Sequence, residues 1–128
     1  MLWIKFNLKT EQRVLRLESL RWLKSCQSQR GTEVIAYQII KASSSVAANY
    51  RAVCRAKSKA DFINKLKIVE EEADESLFWL EFIEDLELMR KRLLKELIKE
   101  ADELVSIFTA ALKTSKAKYK NKSSNLKS

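Results

Sequence analysis

The sequence has no proline and no histidine, one glycine and two cysteines. Because proline and glycine mark turns and interrupt helices, their scarcity favours long helices. The β-branched residues recur at helical spacing, and no short alternating runs indicate strands. Cys26 and Cys54 are far apart and have no histidine to complete a zinc site, so we expect free thiols and no bound metal.

Long hydrophobic runs are also absent. The longest uncharged stretches are nine residues, at 42–50 and 104–112, about half the length that a membrane-spanning helix requires. The opening MLWIKF is interrupted by Lys5 and is not followed by a small-residue cleavage site, so a signal peptide is not expected. We therefore expect a cytoplasmic protein that does not contact the membrane.

The first two predicted helices are separated by a polar segment that contains the glycine. The first helix is predicted from about Thr10 to Cys26. Gly31 suits the left-handed position after a helix, and Thr32 could cap the second helix by accepting a backbone hydrogen bond. The second helix is predicted to end near Ala56.

Two further helices follow. Ser58 is the expected cap of the third, and Asp61 supplies negative charge to its first turn. A turn near residues 87–90 precedes the fourth, whose apolar residues recur every three or four positions up to Leu112. The short connections predict an all-α fold, an antiparallel up-down-up-down four-helix bundle forming a single domain over residues 1–112.

The turn between the second and third helices would bring small residues opposite carboxylates. It places Ser43–Ser45 at about the level of Glu70–Glu72. Serine would let the backbones approach closely, and its hydroxyl could donate a hydrogen bond to a carboxylate that turns inward. Arg13 or Arg16 of the first helix could also reach Glu71 or Glu72.

Charge is distributed unevenly along the chain. Residues 1–60 carry 12 basic and 3 acidic groups, whereas residues 61–90 carry 3 basic and 10 acidic groups. Residues 113–128 carry six lysines and no acid. We expect 113–128 to be a lysine-rich tail in which the fourth helix frays toward disorder. A basic surface with a basic tail is typical of polyanion binding. Solubility, or pairing of opposite charges between subunits, would explain the same distribution.

We predict a non-enzymatic protein that binds RNA or another nucleic acid and needs no cofactor. The expected electrostatic contacts are Arg13, Arg16, Arg51, Arg55, Lys57 and Lys59. A metal or acid-base cluster of Glu71, Glu72 and Glu75 is the weaker alternative, because bundles that bind two metal ions combine glutamate with histidine. No catalytic residue is predicted.

The third helix has more apolar surface than one bundle core can cover. Its apolar residues between Leu77 and Leu86 point in nearly every direction around the axis. Either the N-terminal Trp3, Ile4 and Phe6 cover the surplus, or a second subunit does. The predicted oligomer interface contains Phe78, Trp79 and Phe82. The alternative function is a scaffold whose protein partner binds this aromatic surface.

Two segments carry a family resemblance: ANYRAVCRAKSKADF at residues 48–62 and IVEEEADESLFWLE at residues 68–81. Together they resemble the bacterial four-helix bundle proteins related to those encoded by intervening sequences within 23S ribosomal RNA genes. The resemblance covers roughly residues 34–112. Ala47 stands where members of that family typically have a glycine, which could loosen the closest approach of two helices.

The resemblance implies a left-handed bundle, assembly into a ring-like homopentamer and no known enzymatic activity. It also implies either association with ribosomal RNA or a role as an accessory subunit, as a related bundle has for a reverse transcriptase. Asn49, Tyr50, Arg51, Arg55 and Lys59 match the family's motif. One interpretation is an anion-contacting edge with Tyr50 free to stack on a base; the other is helix packing, with Arg55 paired to Asp61.

Overall fold

The computed structural model describes residues 30–127, which form three helices. Helix α1 spans Arg30–Cys54, α2 spans Lys59–Asp85 and α3 spans Lys91–Lys127. They correspond to the second, third and fourth predicted helices. Within these residues there is no strand, which confirms the all-α prediction. The predicted first helix, from Thr10 to Cys26, lies outside the described residues.

Helix α1 includes residues that were predicted to precede it. Gly31 and Thr32 both lie within the helix, so the predicted left-handed Gly31 and the predicted cap at Thr32 are wrong. Gly31 is the second residue of α1, and Ile35 and Ala36 in the next turn are buried.

Helix α2 begins at the predicted cap. The backbone of Ser58 is extended, with φ of −155°, and its hydroxyl accepts a hydrogen bond of 3.1 Å from the Asp61 N–H. In return, the Asp61 carboxylate accepts a 3.0 Å bond from the Lys57 N–H. These reciprocal bonds satisfy donors that a helix start leaves unpaired, which confirms the predicted cap and turn.

Helix α2 ends with a left-handed residue that is not glycine. Glu87 has φ of 53°, and its N–H donates to the Glu84 carbonyl at 3.0 Å. The Leu88 N–H donates to the Ile83 carbonyl at 3.2 Å. This pair of bonds is the Schellman arrangement that closes a helix C-terminus. The turn predicted near residue 87 is therefore confirmed.

The middle helix, α2, packs against both α1 and α3. The connections are short, so each neighbour runs antiparallel to it. Each helix contributes one stripe of residues spaced three or four apart, and the stripes meet in one core. The largest fully buried side chains are Ile39, Val46, Leu66, Val69, Leu80, Ile83, Leu94, Leu104 and Phe108.

Serines at the α1–α2 contact bond to their own helix. Ser43, which is buried, donates to the Ile40 carbonyl at 3.2 Å. Ser44 donates to the same carbonyl at 2.7 Å. The predicted bonds from these two hydroxyls to the carboxylates of α2 are therefore wrong, because a helical serine finds a nearer acceptor one turn back. The predicted contacts of Arg13 and Arg16 lie outside the described residues.

Helix α3 continues well past Leu112, to Lys127. The expected change at residue 113, from helix to fraying tail, does not occur over residues 113–127. Lysine, the commonest residue of this stretch, is a good helix former, and neither glycine nor proline interrupts it. Despite its length α3 is too polar to cross a bilayer, and no other helix in the described part of the chain meets that requirement.

The length of α3 carries it beyond its neighbours. Helices α2 and α3 meet at the connection between Asp85 and Lys91, and they contain 27 and 37 residues. The difference is 37 − 27 = 10 residues, or about 15 Å of helix at 1.5 Å per residue. The last part of α3 therefore projects past the α1–α2 turn.

Candidate nucleic-acid interface

Basic side chains from three segments gather at one end of the molecule. Helix α1 finishes at this end, α2 begins at it, and α3 returns to it from the opposite end. The side chains concerned are all exposed. We call this surface the basic end and define it by Arg51, Arg55, Lys57, Lys59, Lys113, Lys116, Lys118, Lys120 and Lys122.

Acidic groups are scarce at the basic end. Residues 34–60 contain five basic groups and no acid, and residues 104–128 contain six lysines and no acid. The acid nearest to the turn is Asp61, whose carboxylate lies 2.8 Å from the Lys65 ammonium. The hydrogen bond from Lys65, followed by that from the Lys57 N–H, holds the pKa of Asp61 below its usual range. Its negative charge is thus paired with Lys65, and it also attracts Lys57 of the basic end.

Four of the six predicted contact residues come together in this surface. Arg51 lies in the last turn of α1, Arg55 and Lys57 lie in the connection, and Lys59 opens α2. All four are exposed. Asp61 pairs with Lys65, so the predicted pairing of Arg55 with Asp61 is wrong. The other two predicted contacts, Arg13 and Arg16, lie outside the described residues.

Two residues of the family motif are structural. Tyr50 is 2% exposed, and its ring centroid lies 6.1 Å from that of Phe108 on α3. The interpretation in which Tyr50 stacks on a base is therefore wrong. The Asn49 amide donates to the Ser45 carbonyl at 2.8 Å within the same helix. For Asn49 and Tyr50 the structure supports the packing interpretation.

The projecting part of α3 adds features that the sequence analysis missed. Lys118, Lys120 and Lys122 are exposed along this stretch of helix, and Tyr119 lies among them with 45% of its surface exposed. A signal was present in the sequence, since Tyr119 follows the buried Leu112 by seven residues, or about two helical turns. It therefore continues the apolar spacing of α3 into the lysine-rich segment.

A second distinctive surface lies on α2, where two exposed rings adjoin Trp79, which is partly buried and packs against the core. The ring centroids of Phe78 and Trp79 are 5.0 Å apart, and that of Phe82 lies 6.1 Å and 5.8 Å from them. Phe78 is 53% exposed and Phe82 is 38% exposed. Residues 68–89 contain nine acids and no basic group. We call this surface the acidic aromatic face and define it by Phe78, Trp79, Phe82 and the exposed carboxylates around them.

Neighbouring carboxylates at the start of this acidic stretch affect the pKa of Glu72. Partial burial, followed by the nearby Glu75 carboxylate, raises the pKa of Glu72, while Lys41 of α1 opposes that rise. Glu71 and Glu75 are exposed. Within the described chain, no three histidine, cysteine, aspartate or glutamate side chains are arranged to hold a metal ion.

Comparison with known proteins identifies relatives of most of the chain. The family model described as 23S rRNA-intervening sequence protein matches residues 6–110. A crystal structure of a protein with unknown function from the S23 ribosomal protein family of Bacteroides thetaiotaomicron VPI-5482 is similar, with a TM-score of 0.66 and 27% sequence identity. The similarity covers 85% of this chain and 96% of that one. No curated protein matches the chain.

Proposed function

Since the chain belongs to the 23S rRNA-intervening sequence protein family, we propose that it is a non-enzymatic, cytoplasmic helical bundle that binds RNA through its basic end. Ribosomal RNA is the first candidate, and another nucleic acid is the alternative. One observation carries the proposal: nine exposed arginines and lysines from three segments share one end of the molecule.

Such a surface suits a phosphate backbone. Each ammonium or guanidinium that meets a phosphate releases a condensed counterion, so the affinity falls as salt rises. The lysines of α3 are spread around a helix that projects from its neighbours, and Arg51, Arg55 and Lys59 extend the positive surface across the α1–α2 turn. The two groups could contact one RNA strand together.

Fluorescence anisotropy with a labelled RNA tests this proposal. We expect binding at low salt and a steep loss of affinity as the salt concentration approaches the physiological range. If the protein binds no RNA even at low salt, the proposal is wrong. An affinity that hardly changes with salt would point to apolar contacts.

We further propose that the full chain forms a left-handed up-down-up-down four-helix bundle and self-associates through the acidic aromatic face as a homopentamer. The exposed Phe78 and Phe82 support self-association, since clustered aromatic rings are seldom left in water. Five copies of the 14.9 kDa chain have a mass of about 75 kDa, since 5 × 14.9 = 74.5. Light scattering that gave the mass of one chain would contradict this.

A second candidate function uses the same face for a different protein. The protein would then be a scaffold or an accessory subunit, for example of a reverse transcriptase. The carboxylates around Phe78 and Phe82 favour this over nucleic-acid binding at that face, because they repel phosphate. A monomeric mass in solution, with Phe78 and Phe82 accessible, would favour this candidate over self-association.

A further inference from the structure

Tyr119 is the exposed aromatic residue of the basic end. The other exposed aromatic side chains in the described part of the chain are Tyr37, Phe78 and Phe82. Phe78 and Phe82 lie within the stretch that has no basic group, and Tyr37 lies on α1 between Glu33 and Lys41, each four residues away. Among the exposed aromatic side chains of residues 30–127, only Tyr119 lies among the lysines near the end of α3.

The two nearest lysines on its side of the helix flank the ring. Lys116 precedes Tyr119 by three residues and Lys122 follows it by three, and both side chains are exposed. Residues three apart are neighbours on a helix surface. Six residues at 1.5 Å each place the two lysine backbones about 9 Å apart along the axis. A base resting on the ring would therefore have an ammonium on either side for its flanking phosphates.

We propose that Tyr119 is a stacking platform for an unpaired base, and that the basic end consequently takes single-stranded RNA in preference to duplex. This inference rests on the proposed function. A duplex keeps its bases stacked on one another, and in A-form RNA its major groove is too deep and narrow for side chains to read. Lysines alone would contact the phosphates of either form, so the preference comes from the ring.

The ring and the lysines make separable contributions to binding. Stacking of a base on an aromatic side chain contributes about 1–3 kcal/mol, largely independent of base identity. The lysine contribution depends on counterion release and falls with salt. Replacing Tyr119 should therefore lower the affinity at every salt concentration and leave the salt dependence intact. Replacing Lys116 and Lys122 should make the salt dependence less steep.

The experiment measures fluorescence anisotropy with a labelled single-stranded adenosine 12-mer and, separately, a labelled mixed-sequence 12-base-pair RNA duplex. Four proteins are compared: the wild type, Tyr119→Ala, Tyr119→Phe and Tyr37→Ala. We expect Tyr119→Ala to weaken single-strand binding about 5- to 150-fold and to leave duplex binding within about twofold. Tyr119→Phe should retain most of the affinity because it retains the ring. Tyr37→Ala removes an exposed tyrosine on α1, outside the basic end, and should bind like the wild type.

The outcomes separate this inference from the function on which it rests. If the wild type binds neither RNA, both are wrong. If it binds both RNAs and Tyr119→Ala binds each as the wild type does, the basic end binds RNA but Tyr119 is not a stacking platform. Equal weakening of single-strand and duplex binding by Tyr119→Ala would also overturn the inference. Circular dichroism of Tyr119→Ala should show unchanged helix content, because alanine favours the helix.

Discussion

The ring of Tyr50 on α1 lies 6.1 Å from the ring of Phe108 on α3, and both side chains are almost fully buried. This contact links the two outer helices of the described chain, which otherwise pack on α2. It lies just inside the basic end, because Arg51 follows Tyr50 and Lys113 lies about one turn beyond Phe108. The exposed cations of the basic end thus lie next to a buried aromatic pair.

Tyr50→Ala should destabilise the protein by about 3 kcal/mol, because it removes a large buried side chain and its aromatic contact. Urea unfolding at a fixed protein concentration measures the effect. Tyr37→Ala is the control, since Tyr37 is 62% exposed, and it should change the free energy of unfolding by less than about 0.5 kcal/mol. An unchanged unfolding midpoint for Tyr50→Ala, together with lost RNA binding, would restore the stacking role for Tyr50.

Ser58→Ala should lower the free energy of unfolding by about 1 kcal/mol, because the Asp61 N–H loses its acceptor at the start of α2. Thermal or urea unfolding measures the change. Ser106→Ala provides the matched control, since Ser106 is exposed inside α3 and alanine is the better helix former there. Equal destabilisation by the two variants would show that the cap contributes nothing specific.

Glu72→Gln should raise the melting temperature at pH 7. Burial raises the pKa of Glu72 in the folded state, so the folded protein holds this proton more readily than the unfolded chain does. The stabilisation from the protonated form is complete below the ordinary carboxyl range and is lost as the pH rises through the raised pKa. The gain from Glu72→Gln should therefore be present at pH 7 and disappear below about pH 4.

Thermal unfolding across this pH range checks the prediction for Glu72. Glu81→Gln is the control because Glu81 is exposed and is not among the groups that shift the pKa of Glu72, and its effect should be small at every pH. A lower melting temperature for Glu72→Gln at pH 7 would mean that attraction to Lys41 outweighs burial and the repulsion from Glu75.

The double variant Phe78→Ser, Phe82→Ser should convert the proposed homopentamer to single chains, because it removes the exposed rings of the acidic aromatic face. Light scattering gives the mass. The control is Val34→Ser with Tyr37→Ser, which removes two exposed apolar side chains from α1. If the control dissociates equally, or if the Phe78 and Phe82 variant keeps the oligomer mass, the interface lies elsewhere.

Features that depend on local chemistry could be predicted from the sequence. The cap at Ser58 requires a short polar side chain three residues before a free backbone N–H, and the turn near Glu87 separates two apolar patterns. Gly31 misled the prediction because glycine permits a left-handed turn without requiring one. Gly31 is helical in the structure, and Ile35 and Ala36 in the following turn are buried. A local sequence pattern does not show such tertiary burial.

The candidate site could be predicted only in part. Arg51, Arg55, Lys57 and Lys59 are close together in sequence and also in space. For Tyr50 the sequence left base stacking and helix packing both open. Its spacing from Val46 and Val53 matches the core stripe, and its burial agrees with the packing interpretation. The polar, lysine-rich composition of residues 113–128 suggested a frayed tail, whereas the helix continues to Lys127.

We propose that RNA binds at the basic end, and a pair of matched charge variants tests this. One variant replaces Arg51, Arg55, Lys57 and Lys59 with glutamine. The other replaces Arg90, Lys91, Arg92 and Lys95, which are exposed at the opposite end. Both change the formal net charge from +8 to +4, since 8 − 4 = 4.

The measurement is the RNA dissociation constant of each variant as a function of salt, by fluorescence anisotropy. We expect the basic-end variant to lose at least about tenfold in affinity at low salt. The slope of its log affinity against log salt concentration should be less steep by about 3, or about 0.7 for each lost phosphate contact. The opposite-end variant should bind nearly as the wild type does. Equal losses of RNA affinity in the two variants, or no loss in the basic-end variant, would contradict RNA binding at the basic end.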